Sequence, residues 1–135
     1  MKKKIRTFAE VLGNILGIEI TSCEDGLVKG TMPVDDRTRQ PYGILHGGAS
    51  VVLAETLGSV GSHFLAEQEG KIAVGVEVNA NHLRQVREGL VYGTAQIQHR
   101  GRKIHVWTIE IHDEAQRLVC TSRLTVMVMA MKPQQ

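Results

Sequence analysis

The feature that most constrains the fold is a long apolar segment interrupted by one carboxylate, Glu55. From Ala49 to Leu57 only Ser50, Glu55 and Thr56 are polar. A helix that is apolar on nearly all sides has to be buried, and a carboxylate on it is costly unless it is paired or used. We therefore expect a central, enclosed helix. Glu55 either pairs with an arginine at a helix edge or subunit seam, or acts as a general base or nucleophile in a low-dielectric site.

Composition narrows the class of protein. The 135 residues are expected to form a single domain spanning residues 1–135, and the hydrophobic and charged fractions of 42% and 22% are those of an ordinary globular protein. A net charge of +2 and 4% aromatic residues argue against nucleic-acid binding. Cys23 and Cys120 lie far apart in the sequence. We therefore expect both to be free thiols in a reducing compartment.

The sequence also bears on where the protein is located in the cell. The basic start Met1–Lys4 is not followed by a continuous apolar region, so a signal peptide is not expected. No segment approaches the apolar run of about twenty residues that crosses a membrane. The sequence therefore predicts a cytoplasmic protein without a membrane anchor.

The hydrophobic pattern predicts an α+β fold. A short helix is expected over Thr7–Leu16, with Thr7 as N-cap and Glu10 completing a capping box. The central helix is expected to end near Gly70. The short connections favour antiparallel neighbours, so the strands are expected to run as a meander curled around the helix, which is the hot-dog fold. The predicted strands are Ile18–Ser22, Leu27–Val34, Ile72–Leu83, Gly89–His99, His105–His112 and Arg117–Met131.

The residues around Glu55 suggest further chemistry. Gly47 and Gly48 fit the start of the helix, where free N–H groups attract negative charge developing on an oxygen, although a glycine pair also makes a simple tight turn. His46 is a candidate base, or it orients the loop through hydrogen bonds. Ser59 and His63 follow Glu55 on one helix face, and Ser59 also suits close packing as a small residue.

Other chemistries fit poorly. The chain contains no GxSxG elbow, no GxxxxGK[ST] loop and no GxGxxG after a strand. Its six histidines form no HExxH or paired-cysteine pattern. We therefore expect neither a metal nor a cofactor.

At this point a family resemblance enters. The run from Gln40 to Ser50, followed by Leu53–Ser59, resembles hot-dog acyl-CoA thioesterases of the phenylacetyl-CoA and 4-hydroxybenzoyl-CoA group, which carry a glutamate on the helix. The likeness continues through Val76–Arg84 and Val106–Ile111 and covers nearly the whole chain.

The resemblance implies hydrolysis of an acyl-CoA, often with an aromatic acyl group such as hydroxybenzoyl, gentisyl or dihydroxynaphthoyl. It implies that the Gly47 N–H polarises the thioester carbonyl and that Glu55 attacks it or activates water. Gln40 and His46 would position the acyl group or the water, and Ser59 would help to hold the reacting end. The site would span a subunit interface of a homo-oligomer, at least a dimer and commonly a tetramer, with Gln40 and His46 facing Glu55 of the partner chain.

Four basic residues are candidates for binding coenzyme A: His82, Arg84, Arg102 and Lys103. Arginine suits phosphate recognition through its charge and its forked geometry. For Arg102 and Lys103 the alternative is a solvated hairpin turn.

Two other functions remain open. A hot-dog dehydratase or hydratase would use a histidine to abstract a proton beside the thioester carbonyl. A non-catalytic acyl-CoA-binding regulatory module would bind without turnover and has no use for a buried glutamate. Release of free thiol from acyl-CoA separates both from a thioesterase.

Overall fold

A computed structural model of the chain describes residues 11–131, which form one antiparallel sheet wrapped around one long helix. The long helix, α2, contacts all six strands, so the sheet curls around it as the hot-dog prediction requires. The elements in chain order are α1 (Leu12–Ile15), β1 (Glu19–Glu24), β2 (Leu27–Pro33), α2 (Gly47–Glu67), β3 (Lys71–His82), β4 (Leu90–Arg100), β5 (Ile104–His112) and β6 (Leu118–Ala130).

The strand order β1-β2-β4-β5-β6-β3 corrects the predicted meander at one place. β3 does not pair with β4, which follows it in the chain. It pairs with β6 from Lys71↔Ala130 to His82↔Cys120, while β4 pairs with β2. The connection over residues 83–89 reaches up to about 23 Å when extended. That exceeds the roughly 14 Å spanned by three strand spacings. A connection of seven residues can therefore cross the two strands that lie between β3 and β4 in the sheet. The sequence pattern does not reveal this crossing.

The predicted helix Thr7–Leu16 lies only partly within the described residues. Its predicted cap Thr7 and capping-box residue Glu10 lie outside the described residues. Within them, α1 is a single turn that begins after Val11 and contacts α2. The first hairpin turns through Asp25 and Gly26, with Gly26 at φ +77°, so β1 runs two residues further than predicted.

Helix α2 is 21 residues long and, by length and composition, apolar enough to cross a membrane. This differs from the prediction that no segment approaches such a run. More than half of its most apolar window is buried inside the protein, so its apolar character is that of a core helix. The buried residues of α2 include Leu53, Ala54, Leu57, Gly58, Gly61 and Ser62.

Glycines allow side chains to pack directly against backbone in this core. A Cβ atom on Gly61 would lie 2.3 Å from Cη2 of Trp107, whose indole is completely buried against α2. Gly30 and Gly93 are paired across β2 and β4, and Leu57 sits against both. These contacts fix how α2 is rotated within the sheet. They thereby decide which of its residues face outward.

Candidate active site

Helix α2 begins at Gly47 with His46 as its N-cap. Nδ1 of His46 accepts a hydrogen bond from the Gly48 N–H at 2.8 Å, and the His46 carbonyl accepts from Ala49 and Ser50. Among the described residues, the N–H of Gly47 has no hydrogen-bond partner. The start of the helix therefore leaves the Gly47 N–H available to an oxygen of a ligand.

The loop before the helix holds Gln40 in a fixed orientation. Its backbone N–H donates to the carbonyl of Ile44 at 2.8 Å, and its carbonyl accepts from Gly43, which takes a φ of +79°. The side-chain Oε1 of Gln40 accepts a hydrogen bond from the N–H of Tyr42. With its oxygen engaged, Gln40 presents its amide NH₂ as the free end of the side chain.

Gln40 and Gly47 share a groove of about 430 Å³ with His82 and Arg84. His82 comes so close to the helix that a Cβ atom on Gly47 would lie 2.8 Å from its Nε2 atom. A glycine at position 47 thus permits the close approach of His82. Of the predicted coenzyme-binding residues, the structure places His82 and Arg84 in this groove.

Glu55 lies in a second groove, with a volume of about 510 Å³, between α1, β1 and α2. The groove contains Ser59 and Thr56 and is otherwise mostly aliphatic, with Val51, Val52, Val60, Ile18 and Ile20 among its residues. Glu55 is half-buried, and no residue in the described part of the chain forms an ion pair with it. The structural alternative of an arginine partner is not realised within this part of the chain.

Gly75 on β3 is a residue of this site that the sequence reading missed. A Cβ atom there would lie 3.0 Å from Oε2 of Glu55, so the carboxylate rests against bare backbone. The signal was available, because a glycine inside a strand pattern marks a bulge or a close approach. The register of β3 against β6 shifts between Gly75 and Glu77.

Gly47 and Glu55 are eight residues apart on α2, which corresponds to about 12 Å along the helix axis. They line different grooves. Within one chain, the structure therefore does not bring Gly47 and Glu55 together in one groove.

The remaining candidates lie elsewhere. His63 is exposed and sits 3.9 Å from Glu67 rather than in the Glu55 groove. Arg102 and Lys103 occupy the turn between β4 and β5, and Arg102 borders a third groove with Leu65 near the C-terminal end of α2. The full length of α2 is about 31 Å, so these two residues are far from His82 and Arg84 within one chain.

The described part of the chain contains no group of three or more His, Cys, Asp or Glu residues suited to a metal ion. The two grooves therefore offer hydrogen-bond donors, one carboxylate and an apolar wall. Such a set suits hydrolysis of an activated carbonyl compound.

The fold is that of a hot-dog protein, and comparison with known proteins gives the family. Residues 42–120 match the sequence model of the Thioesterase superfamily. The chain belongs to this superfamily and is a thioester hydrolase.

Three relatives illustrate the likeness. A 1,4-dihydroxy-2-naphthoyl-CoA hydrolase from Escherichia coli is 51% identical over 120 residues, covering 87% of this chain and 88% of that protein. The crystal structure of a thioesterase from Haemophilus influenzae superposes with a TM-score of 0.88 at 46% identity, covering 94% of this chain and 88% of the other. A thioesterase from Staphylococcus aureus, solved with one glutamine changed to alanine, gives a TM-score of 0.84 at 42% identity, covering 87% and 98%.

Proposed function

We propose that the protein hydrolyses aryl-CoA thioesters to a free acid and coenzyme A, at sites formed by two copies of the chain. The observation that carries this proposal is the arrangement on α2. Within the described residues, a free N–H donor at Gly47 and a carboxylate without an ion-pair partner at Glu55 lie in separate grooves. Their positions are about 12 Å apart along the helix axis. A two-fold axis perpendicular to α2 and passing beside it, midway between the two positions, would bring Gly47 of one copy beside Glu55 of the other.

The edge strand β3 supports such a pairing. It is twelve residues long and bonds only to β6, so its other edge is open within the described chain. Val74 and Val76 on this strand are 48% and 57% exposed. Long exposed edges with apolar side chains are normally covered. We propose that a second copy covers β3, and that dimers associate further into a tetramer.

Catalysis divides between the two copies. The Gly47 N–H of one copy donates to the thioester oxygen as negative charge develops there. The Glu55 carboxylate of the other either adds to the carbonyl carbon or takes a proton from a water that adds. In the first route, departure of the thiolate produces a mixed anhydride between the acyl group and Glu55. Water then cleaves this anhydride. In the second, hydroxide addition gives a tetrahedral intermediate that expels the thiolate directly.

The hydrogen-bonding roles of the His46 and Gln40 side chains favour hydrolysis over dehydration. Because Nδ1 of His46 accepts from the Gly48 N–H, a neutral His46 carries its proton on Nε2 and is a donor there. Gln40 likewise presents its NH₂ group, since its oxygen is engaged by Tyr42. Two donors suit a carbonyl oxygen or a water. They do not suit the abstraction of a proton from carbon, which a dehydratase requires.

The substrate is proposed from the two grooves together. The aliphatic groove beside Glu55, of about 510 Å³, suits an apolar acyl group such as hydroxybenzoyl, gentisyl or dihydroxynaphthoyl. Ser59 lies in that groove to hold the reacting end. His82 and Arg84 border the Gly47 groove and are proposed to contact the arm or phosphates of coenzyme A. The E. coli relative named for a dihydroxynaphthoyl-CoA substrate supports the aromatic choice.

A second relative supports the choice of residues. The S. aureus protein has been solved with a glutamine and, separately, a glutamate changed to alanine, and these two positions lie fifteen residues apart. Gln40 and Glu55 have the same separation. We also propose a cytoplasmic location, in line with the two free thiols Cys23 and Cys120.

Thiol release tests the assignment. Wild-type protein is expected to liberate coenzyme A from 4-hydroxybenzoyl-CoA, whereas Glu55→Ala is expected to bind the substrate without turnover. Binding without turnover in the wild type would instead support the regulatory module, and addition or loss of water with the thioester intact would support the dehydratase or hydratase.

A further inference from the structure

One polar side chain in the Glu55 groove comes from α1 and is not used by the proposed chemistry. Asn14 lies on this single helical turn and borders the groove. It is partly exposed, as a side chain in the wall of an open groove is. The other polar side chains of the groove all belong to α2, and they are Glu55, Thr56 and Ser59. Asn14 is therefore the polar group that α1 contributes to an otherwise aliphatic wall.

The local structure of α1 does not require an asparagine at this position. The N-cap is Val11, which forms no side-chain cap hydrogen bond, and the C-cap is Leu16. The backbone carbonyl of Asn14 accepts from the N–H of Gly17 at 3.0 Å, but its side chain forms no hydrogen bond with another described residue. Asparagine within a helix is also less favourable than leucine. The side-chain amide is thus available to a ligand in the groove.

The position of α1 places this amide on the side of the groove that faces α2. A Cβ atom on Gly13 would lie 3.7 Å from Cγ2 of Thr56, the residue that follows Glu55. Thr56 therefore meets α1 through its methyl group. An acyl group that lies between the two helices, with its thioester at Glu55, has Asn14 as its polar neighbour on the α1 side.

An aryl group with a ring hydroxyl needs a hydrogen-bond partner in such a groove. A hydroxyl that is buried without one costs about 1–3 kcal/mol. Glu55 and Ser59 are assigned to the reacting end in the proposed mechanism. The amide of Asn14 offers both a donor and an acceptor, and a phenolic hydroxyl is complementary to either.

We propose that the side-chain amide of Asn14 binds a ring hydroxyl of the aryl acyl group and thereby selects hydroxylated aryl-CoA over the unsubstituted compound. This inference rests on the proposed function and names a specificity-determining residue for it. A site that hydrogen-bonds a substrate hydroxyl discriminates against the analogue that lacks it. The competing explanation is that Asn14 is a solvated residue at the rim of the groove, as asparagine commonly is on a surface.

Steady-state hydrolysis of benzoyl-CoA and of its 2-, 3- and 4-hydroxy derivatives separates these explanations. We expect the wild type to have a higher kcat/KM for at least one hydroxybenzoyl-CoA than for benzoyl-CoA. In Asn14→Leu, which keeps the size of the side chain but removes its hydrogen-bonding groups, that preference should fall about five- to tenfold. The value of kcat/KM for benzoyl-CoA should not fall.

Two controls separate recognition of the hydroxyl from damage to α1. Leucine favours a helix more than asparagine does, so the unfolding midpoint of Asn14→Leu should be preserved. Ile15→Ala changes an exposed residue of the same turn that lies outside the groove, and it should keep the wild-type preference.

The outcomes also distinguish this inference from the proposed function. The hydroxyl position at which Asn14→Leu loses the preference identifies the ring atom that faces α1, and a loss at any one position supports the inference. If all four compounds are hydrolysed but their relative kcat/KM values are the same in Asn14→Leu and wild type, the inference alone is overturned. Loss of the preference in Thr56→Val but not in Asn14→Leu would overturn it as well. If the wild type releases no thiol from any of the four, the proposed function fails and the inference fails with it.

Discussion

Nδ1 of His46 accepts a hydrogen bond from the backbone N–H of Gly48 at 2.8 Å, and this contact starts helix α2. The same contact leaves the N–H of Gly47 without a partner in the described chain and fixes the Nε2–H of a neutral His46. One side chain therefore caps the helix and orients the proposed oxyanion donor.

Substitution of His46 separates these two effects. His46→Ala is expected to lower the free energy of unfolding by about 1 kcal/mol through loss of the N-cap, and to lower kcat. His46→Asn should restore the cap and the stability but not the rate, because asparagine lacks the Nε2–H. Urea unfolding and steady-state kinetics provide the two readouts. Equal recovery of stability and rate in His46→Asn would show that capping alone matters.

Glu55 is the second test of the chemistry. Glu55→Gln keeps the shape of the side chain but removes its basicity and nucleophilicity. We expect kcat to fall by about 10³-fold or more with the far-ultraviolet spectrum and the unfolding midpoint preserved. Glu24→Gln, exposed at the end of β1, is the matched control. After a single turnover in H₂¹⁸O, label on Glu55 would show an anhydride that water opens at the Glu55 carbonyl carbon, because direct attack by water labels only the product acid.

Leu57 packs against paired glycines, and this contact is expected to set the position of α2. A Cβ atom on Gly93 would lie 2.5 Å from Cδ1 of Leu57, so Gly93→Ala should destabilise the fold by about 1–3 kcal/mol. In Leu57→Ala/Gly93→Ala the clash is removed, and the loss should be smaller than the sum of the single losses. Gly13→Ala, where the nearest atom would be 3.7 Å away, is the control. Additive losses in the double variant would contradict this packing.

Asp113 gives the stability a defined dependence on acid. Its pKa is held below the ordinary value by the backbone N–H of Arg117, with further contributions from the Arg117 side chain and the Ala115 N–H. A lowered pKa means that this stabilisation is fully present above the pKa of the unfolded chain and is lost as the pH falls through the folded value. Asp113→Asn should therefore be less stable than wild type at pH 7, with the difference narrowing below about pH 4. A difference that stays constant down to pH 2 would rule out this origin.

Much of the fold could be predicted from local pattern. The alternation in residues 89–99 and 105–112 gave β4 and β5, and the apolar run around Glu55 gave α2, because burial dictates periodicity within each element. The pairing of β3 with β6 could not be predicted in this way. Strand order depends on contacts between segments distant in sequence, and a seven-residue connection is compatible with either arrangement.

The residues of the candidate site could be proposed from the sequence, but their arrangement could not. Glu55, Gly47 and His46 stood out because an apolar helix and a glycine pair make polar groups conspicuous. Their division between two grooves depends on how α2 is rotated against Gly93 and Trp107, which involves tertiary packing. The approach of Glu55 to Gly75 and that of His82 to Gly47 also depend on tertiary packing.

The central claim is that Gln40 and Gly47 of one copy act with Glu55 of another. Gln40→Ala and Glu55→Ala proteins are purified separately, unfolded together in equal amounts and refolded. Half of the dimers should then be mixed, and each mixed dimer should contain one intact site. We predict about a quarter of the wild-type rate of thiol release, well above the rate of either variant refolded alone. A mixture no more active than the average of the two variants would contradict the shared site and place the chemistry within a single chain.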